Sequence, residues 1–186
     1  MKIGFAMCGS FCTYAQVFPV MELLSRDYDL TPIFSTSAAT TDSRFGTATE
    51  HIAQATEICG TAPLMTIAQA EPIGPKKLFD ALIVAPCTGN TLAKLAHSIA
   101  DTPVTMAVKS HLRNGRPVIL AISTNDGLGG AAENIGKLLG RKHYYFVPFG
   151  QDDPAGKPTS LIADFTRIPQ TLEAALEGRQ IQPLLL

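Results

Sequence analysis

The chain has 186 residues, close to one ordinary domain, and 46% of them are hydrophobic, enough to bury a sizeable core. Fifteen Lys and Arg stand against sixteen Asp and Glu, a net charge of −1 with no basic run or Arg/aromatic cluster, which argues against nucleic acid as a partner. The four cysteines form no CxxC pair and have no histidine at metal-ligand spacing; neither a disulfide framework nor a metal site is expected, and Cys8 and Cys12 read as packed thiols.

Lys2 to Met7 is an apolar run ending in Gly9-Ser10, too short to span a membrane and without a small-residue cleavage pattern. It predicts a first strand in a cytoplasmic protein. Between Cys12 and Arg26, Tyr14, Val17, Met21 and Leu24 recur at helical spacing, and Pro19 predicts a kink or a helix start nearer to it. Leu30 to Phe34 reads as a second strand, followed by the polar run STSAATTDS (Ser35 to Ser43) and a helix over Ala48 to Ile58. EPIGPKK (Glu71 to Lys77) predicts an irregular surface passage.

Leu82 to Ala85 is apolar on both sides, the pattern of a central parallel strand, and Pro86 is expected to end it because it cannot donate to a ladder. A helix is expected within Thr91 to Ala100, with Leu92, Leu95, Ala96 and Ile99 on one face. Another is expected over Val104 to Leu112, stopped at Asn114-Gly115. Pro117 to Ser123 is a fourth strand, the loop TNDGLGG leads to a helix over Ala131 to Leu139, and Tyr144 to Phe149 is a fifth strand. The apolar tail after Gly178 is expected to dock on a neighbour.

Strands alternating with helices predict an α/β fold, a doubly wound three-layer sandwich with a mainly parallel sheet, forming a single domain over residues 1–186. Such sheets bind ligands outside the carboxyl ends of their strands. Gly9-Ser10 could admit an anion to helix-start amides; taken alone it is equally a plain turn, since neither GxGxxG nor the P-loop pattern is present. Ser35, Thr36 and Ser37 offer hydroxyls beside it, or cap a helix. Thr88, Gly89 and Asn90 bring a hydroxyl, close backbone and an amide to a helix start, where capping and ligand contact can coexist. Asn125 and Asp126 orient a ligand or cap the next helix, and Asp101 reads as a loop brace.

The stretch APCTGNTLAKLAHSIAD (Ala85 to Asp101) resembles the signature AP-x-T/S-A/G-N-T-I/L-A-K-L/I-A-x-G-I/L-A-D of the flavoprotein family that includes phosphopantothenoylcysteine decarboxylase and the lantibiotic cysteine decarboxylases. Gly9-Ser10 and Ser35-Thr36-Ser37-Ala38 resemble that family's first two loops. The resemblance implies a Rossmann-like flavoprotein fold with FMN bound between subunits of a homo-oligomer. It also implies a flavin site lined by Gly9, Ser10, Ser35, Ser37, Pro86, Thr88, Asn90 and Thr91. The catalytic histidine of the decarboxylases falls at Pro72, their substrate clamp at Ile122-Ser123-Thr124-Asn125 keeps only Asn125, and no cysteine follows Cys87 to serve their lid. Cysteine decarboxylation is therefore not expected.

GSFCTY, RFG, EPIGPK, LRNGRPVILAISTNDGLG and YFVPFGQDDP resemble instead a branch of that family from spore-forming bacteria. That resemblance implies oxidation of a dihydrodipicolinate-type precursor during sporulation, together with a dehydrogenase-like A-type subunit that holds NADP. A dicarboxylate substrate needs cations, and Arg44, Lys76, Lys109 and Arg113 lie outside the expected core. Arg44, in the loop beside Phe45-Gly46, is the first choice, with Asn125 as a second substrate contact. A stimulatory protein with a repurposed pocket remains the alternative.

Overall fold

The structure is a computed structural model and describes residues 1–186. β1 (Lys2–Met7) is buried from Ile3 onward, and a 3-10 turn over Phe11–Thr13 leads into α1 (Tyr14–Ser25). Pro19 does not divide this helix, because Val17, Phe18, Val20 and Met21 pack both halves on the core. β2 (Asp29–Phe34) follows, and the polar run after it contains the short α2 (Thr36–Thr40), capped by Ser35. α3 (Ala48–Cys59) opens on a capping box between Thr47 and Glu50 and ends at Gly60, whose φ of 64° suits glycine.

α4 (Ile67–Ala70) precedes the passage expected to be irregular, which opens on a 3-10 turn over Glu71–Ile73 and continues in turns to Lys77. β3 (Ala81–Cys87) is buried throughout and continues past Pro86, contrary to the expectation that proline ends it. A register shift between Val84 and Cys87 absorbs the missing donor. α5 (Gly89–Ala96) stops before the expected Ala100, and α6 (Pro103–Leu112) begins on a Thr102/Thr105 capping box. β4 (Val118–Thr124), α7 (Ala132–Leu139) and β5 (Tyr144–Phe146) complete the parallel part. β6 (Phe149–Gly150), β7 (Leu161–Ala163) and α8 (Ile168–Leu176) close the chain.

The parallel strands run in the order β2-β1-β3-β4-β5, with Ile3 opposite both Leu30 and Ala81, and Val118 opposite both Leu82 and Tyr144. Helices flank this sheet, and one cluster of 49 buried residues fills the layers. β7 pairs antiparallel with the last residues of β4, Ser123 opposite Ile162, and β6 pairs antiparallel with β7. The run expected as one fifth strand therefore serves two strands. The tail lies along its own chain, where the Phe149 amide donates to Leu184 O and the Leu186 amide to Phe149 O, each at 3.0 Å. Strand order reverses between β1 and β3, which opens a crevice at their carboxyl ends.

Candidate functional site

Two cavities meet in that crevice, and Gly9 and Thr88 line both. The first, about 450 Å³, has no hydrophobic side chain in its lining; Ser35, Thr36, Ser37, Thr88, Thr91 and Thr102 supply hydroxyls and Asn90 an amide. Thr88 builds this wall because it caps α5, its Oγ1 accepting from the Thr91 amide at 3.3 Å and donating to Thr91 Oγ1 at 3.1 Å. Thr91 Oγ1 in turn donates to Cys8 Sγ at 3.3 Å. Burial pushes the Cys8 thiol up to about 11, so it is a neutral acceptor and not a nucleophile at neutral pH. Lys94 and Asp101 meet at 2.8 Å on the far wall, and the hydrogen bond from Lys94 holds the Asp101 carboxyl below its ordinary range.

The second cavity, about 400 Å³, mixes apolar groups, Phe11, Leu161 and Ile162, with the charged Arg44, Asp152 and Lys157 and the neutral amide of Asn125. Ser10 and Ser123 share a hydrogen bond of 2.7 Å between their hydroxyls, tying the β1 loop to the end of β4. Arg44 sits in a turn closed by Ser43 and Gly46, whose backbones bond to each other at 3.0 and 3.2 Å, with its guanidinium 4.8 Å from the Phe45 ring centre. Beneath the turn, His51 Nε2 donates to Phe45 O at 3.2 Å, and its ring is packed by Phe11, Tyr14 and Phe18. Gly46 is required twice over: its φ is 127°, and a Cβ there would lie 2.7 Å from His51 Nε2.

Lys157 arrives on the excursion between β6 and β7, which Thr159 pins to the end of β4 by donating to Asn125 O at 2.7 Å. Its Nζ lies 3.2 Å from Asp152. The Asp152 carboxyl is held below its ordinary range, chiefly by a hydrogen bond from Ser160 and then by Lys157.

Of the residues the sequence points to, Gly9, Ser35, Ser37, Thr88, Asn90 and Thr91 border the first cavity, and Gly9, Ser10, Thr88, Arg44 and Asn125 the second. Pro86 borders neither, because β3 carries it into the buried sheet. Lys76, Lys109 and Arg113 are also absent from both; Lys109 and Arg113 border a separate cavity where α5 and α6 end. Asp126 is occupied by the Thr124 hydroxyl, and Asp101 braces its loop through Lys94. Sequence reasoning missed Lys94, Thr102, Ser123 and Lys157. Lys94 lies one helical turn after Asn90 and was legible; Lys157 was not, because only the β6–β7 pairing returns its loop to β4.

A 2-1-3-4-5 sheet with hydroxyl-lined loops at its reversal defines a class of ligand-binding α/β proteins. Residues 1–132 match the flavoprotein family, to which the chain belongs. It is 43% identical over all 186 residues to the B-type subunit of dipicolinate synthase from Bacillus subtilis (strain 168), covering 93% of that protein. The crystal structure of the B-type subunit of dipicolinate synthase from Bacillus halodurans C superposes with a TM-score of 0.91 at 44% identity, covering 100% of this chain and 95% of that one. The FMN-dependent cysteine decarboxylase SpaF shares the fold, with a TM-score of 0.70 at 21% identity over 94% of this chain and 97% of its own.

Proposed function

We propose that this chain binds FMN and works with the dehydrogenase-like A-type subunit of dipicolinate synthase to convert a dihydrodipicolinate-type precursor into dipicolinate during sporulation, in the cytoplasm, with NADP held by that dehydrogenase-like partner. The observation that carries this reading is the joining, at Gly9 and Thr88, of a wholly polar cavity to one bearing Arg44 and Lys157. The polar set fits a flavin mononucleotide: the hydroxyls of Ser35 and Ser37 and the Asn90 amide can donate to its phosphate and ring carbonyls, while Thr88 and Thr91, whose hydroxyl protons go to Thr91 Oγ1 and Cys8 Sγ, can accept from its ribityl hydroxyls. Phe11, Leu161 and Ile162 offer apolar surface next to them.

When bound, FMN supplies a two-electron acceptor. The overall conversion removes a hydride and a proton from the dihydropyridine ring and yields NADPH from NADP. In this chain Arg44 offers a planar two-point contact to one substrate carboxylate and Lys157 a point charge to the other. Asn125 stands at the same rim to orient the ring, and Phe11 and Ile162 exclude water from it. The exposed Leu128, Leu185 and Leu186 support working as a homo-oligomer.

Stimulation of the dehydrogenase-like partner, without chemistry in this chain, is the second reading. It is favoured by the state of the ionisable groups: the carboxylates of Asp101 and Asp152 are held low by their partners, and the Cys8 thiol is held neutral. Decarboxylation is disfavoured, because Pro72 stands in a 3-10 turn where those enzymes have histidine.

The deciding experiment records the visible spectrum of the purified chain with and without added FMN, identifies released cofactor by chromatography, and assays dipicolinate formation with the dehydrogenase-like partner present. A perturbed flavin spectrum, with activity reduced at least tenfold in Arg44→Ala, is expected. Full activity in a Thr88→Val, Asn90→Leu variant that no longer binds FMN would establish the stimulatory reading instead.

A further inference from the structure

His51, in the first turn of α3, is only 5% exposed and borders neither cavity of the crevice. Packing alone does not select histidine there. The rings of Phe11, Tyr14 and Phe18 lie 6.4, 4.6 and 6.1 Å from its own, and an apolar side chain of similar volume would fill that cage. Histidine instead brings a cost, because Nδ1 is buried without a partner. The reason for the residue lies in its other nitrogen.

Nε2 donates to Phe45 O at 3.2 Å, the one hydrogen bond by which residues 43–46 reach beyond their own turn. Within the turn, Ser43 and Gly46 close on each other and the Ser43 hydroxyl accepts from the Phe45 amide at 3.1 Å. Asp42 Oδ1 brackets its ends by accepting from the Ala48 amide at 2.9 Å. Those bonds shape the turn, but only the bond from His51 ties its tip to the layer beneath. Phe45 is 46% exposed, so that bond does not serve the core. It anchors the segment that carries Arg44, whose guanidinium lies 4.8 Å from the Phe45 ring centre. Phe11, which packs on the His51 ring, lines the same cavity as Arg44.

We propose that His51 is a positioning residue for Arg44: through Phe45 O it holds the turn so that the guanidinium stays at the mouth of the second cavity. This rests on the reading of Arg44 as the contact for a substrate carboxylate. A two-point contact between guanidinium and carboxylate depends on orientation, and Arg44 is an exposed, long side chain with no ion pair to hold it. Fixing the backbone and the Phe45 ring on which it lies reduces the ordering entropy lost when substrate binds. His51 itself touches no substrate, and its effect reaches the cavity only through Phe45 and Phe11.

The test compares the parent chain with His51→Leu, His51→Asn, His51→Gln and Arg44→Ala, by amide hydrogen exchange over residues 42–48 and by KM and kcat for dipicolinate formation with the dehydrogenase-like partner. His51→Leu is expected to speed exchange of the Phe45 and Gly46 amides about tenfold and to raise KM about fivefold, with kcat within about twofold of the parent. Glutamine, whose amide reaches the place of Nε2, should restore both; asparagine, one methylene shorter, should not, and it carries the test should His51→Leu fail to fold. In the Arg44→Ala background His51→Leu should raise KM no further, whereas a general loosening of the fold would add to it. Unchanged exchange in the variants without the donor, or a KM rise that persists in the Arg44→Ala background, overturns the proposal. Arg44→Ala impaired beside an unimpaired His51→Leu overturns it while leaving the reading of Arg44 intact; an unchanged KM in Arg44→Ala sinks that reading and this proposal together.

Discussion

Asn90 stands in the first turn of α5 with its side chain exposed to the polar cavity, whereas Gly89 beside it is confined. A Cβ on Gly89 would lie 2.6 Å from Thr124 Oγ1 and 2.8 Å from Asp126 Oδ1, so this glycine joins the ends of β3 and β4. The two neighbours thus divide ligand contact and packing between them. Asn90→Leu is expected to abolish the spectral perturbation of added FMN while moving stability by less than about 0.5 kcal/mol, as for an exposed substitution. Spectral titration and thermal unfolding of the same sample check both halves. Thr88, Asn90 and Thr91 were legible in the sequence because helix capping is local; Ser123 and Lys157 were not, because long-range pairing places them.

α6 shows how one element carries a condition on the whole. Its start was readable from Thr102 and Pro103, but its last turn buries His111 completely. His111 Nε2 donates to Pro117 O at 3.1 Å, and Nδ1 has no partner. Desolvation lowers the imidazole from 6.5 to about 4, against the opposing pull of Pro117 O; Arg116 lowers it further and Asp80 raises it. In the unfolded chain His111 takes up a proton below 6.5, and in the folded chain only below about 4. Its contribution is therefore fully present above the unfolded value and lost as pH falls, by up to about 3 kcal/mol. Unfolding curves between pH 7 and 4 should show that slope in the parent chain and lose it in His111→Leu.

At the scale of the molecule, both edges of the parallel sheet are covered. On β2, the Phe34 amide donates to Leu64 O at 3.0 Å and the Leu64 amide to Pro32 O at 2.9 Å. On β5, the Gln180 side chain takes the place of a strand: Oε1 accepts from the Phe146 amide and Nε2 donates to Phe146 O, each at 2.7 Å. Covered edges do not template pairing with other chains. Gln180→Ala leaves both Phe146 groups without partners and should cost about 1–3 kcal/mol, seen as a lower urea midpoint with unchanged slope.

Local periodicity by itself determined that strands and helices alternate here and that Thr88, Asn90 and Thr91 open a helix at a strand end, because capping and burial patterns act over a few residues. Only the tertiary structure decided that Pro86 stays inside β3, that β6 and β7 fold back onto β4 to bring Lys157 to the cavity that Arg44 lines, and that the tail pairs with its own chain at Phe149. Each of those depends on contacts between residues tens of positions apart, whose pairing energy no single stretch of sequence displays.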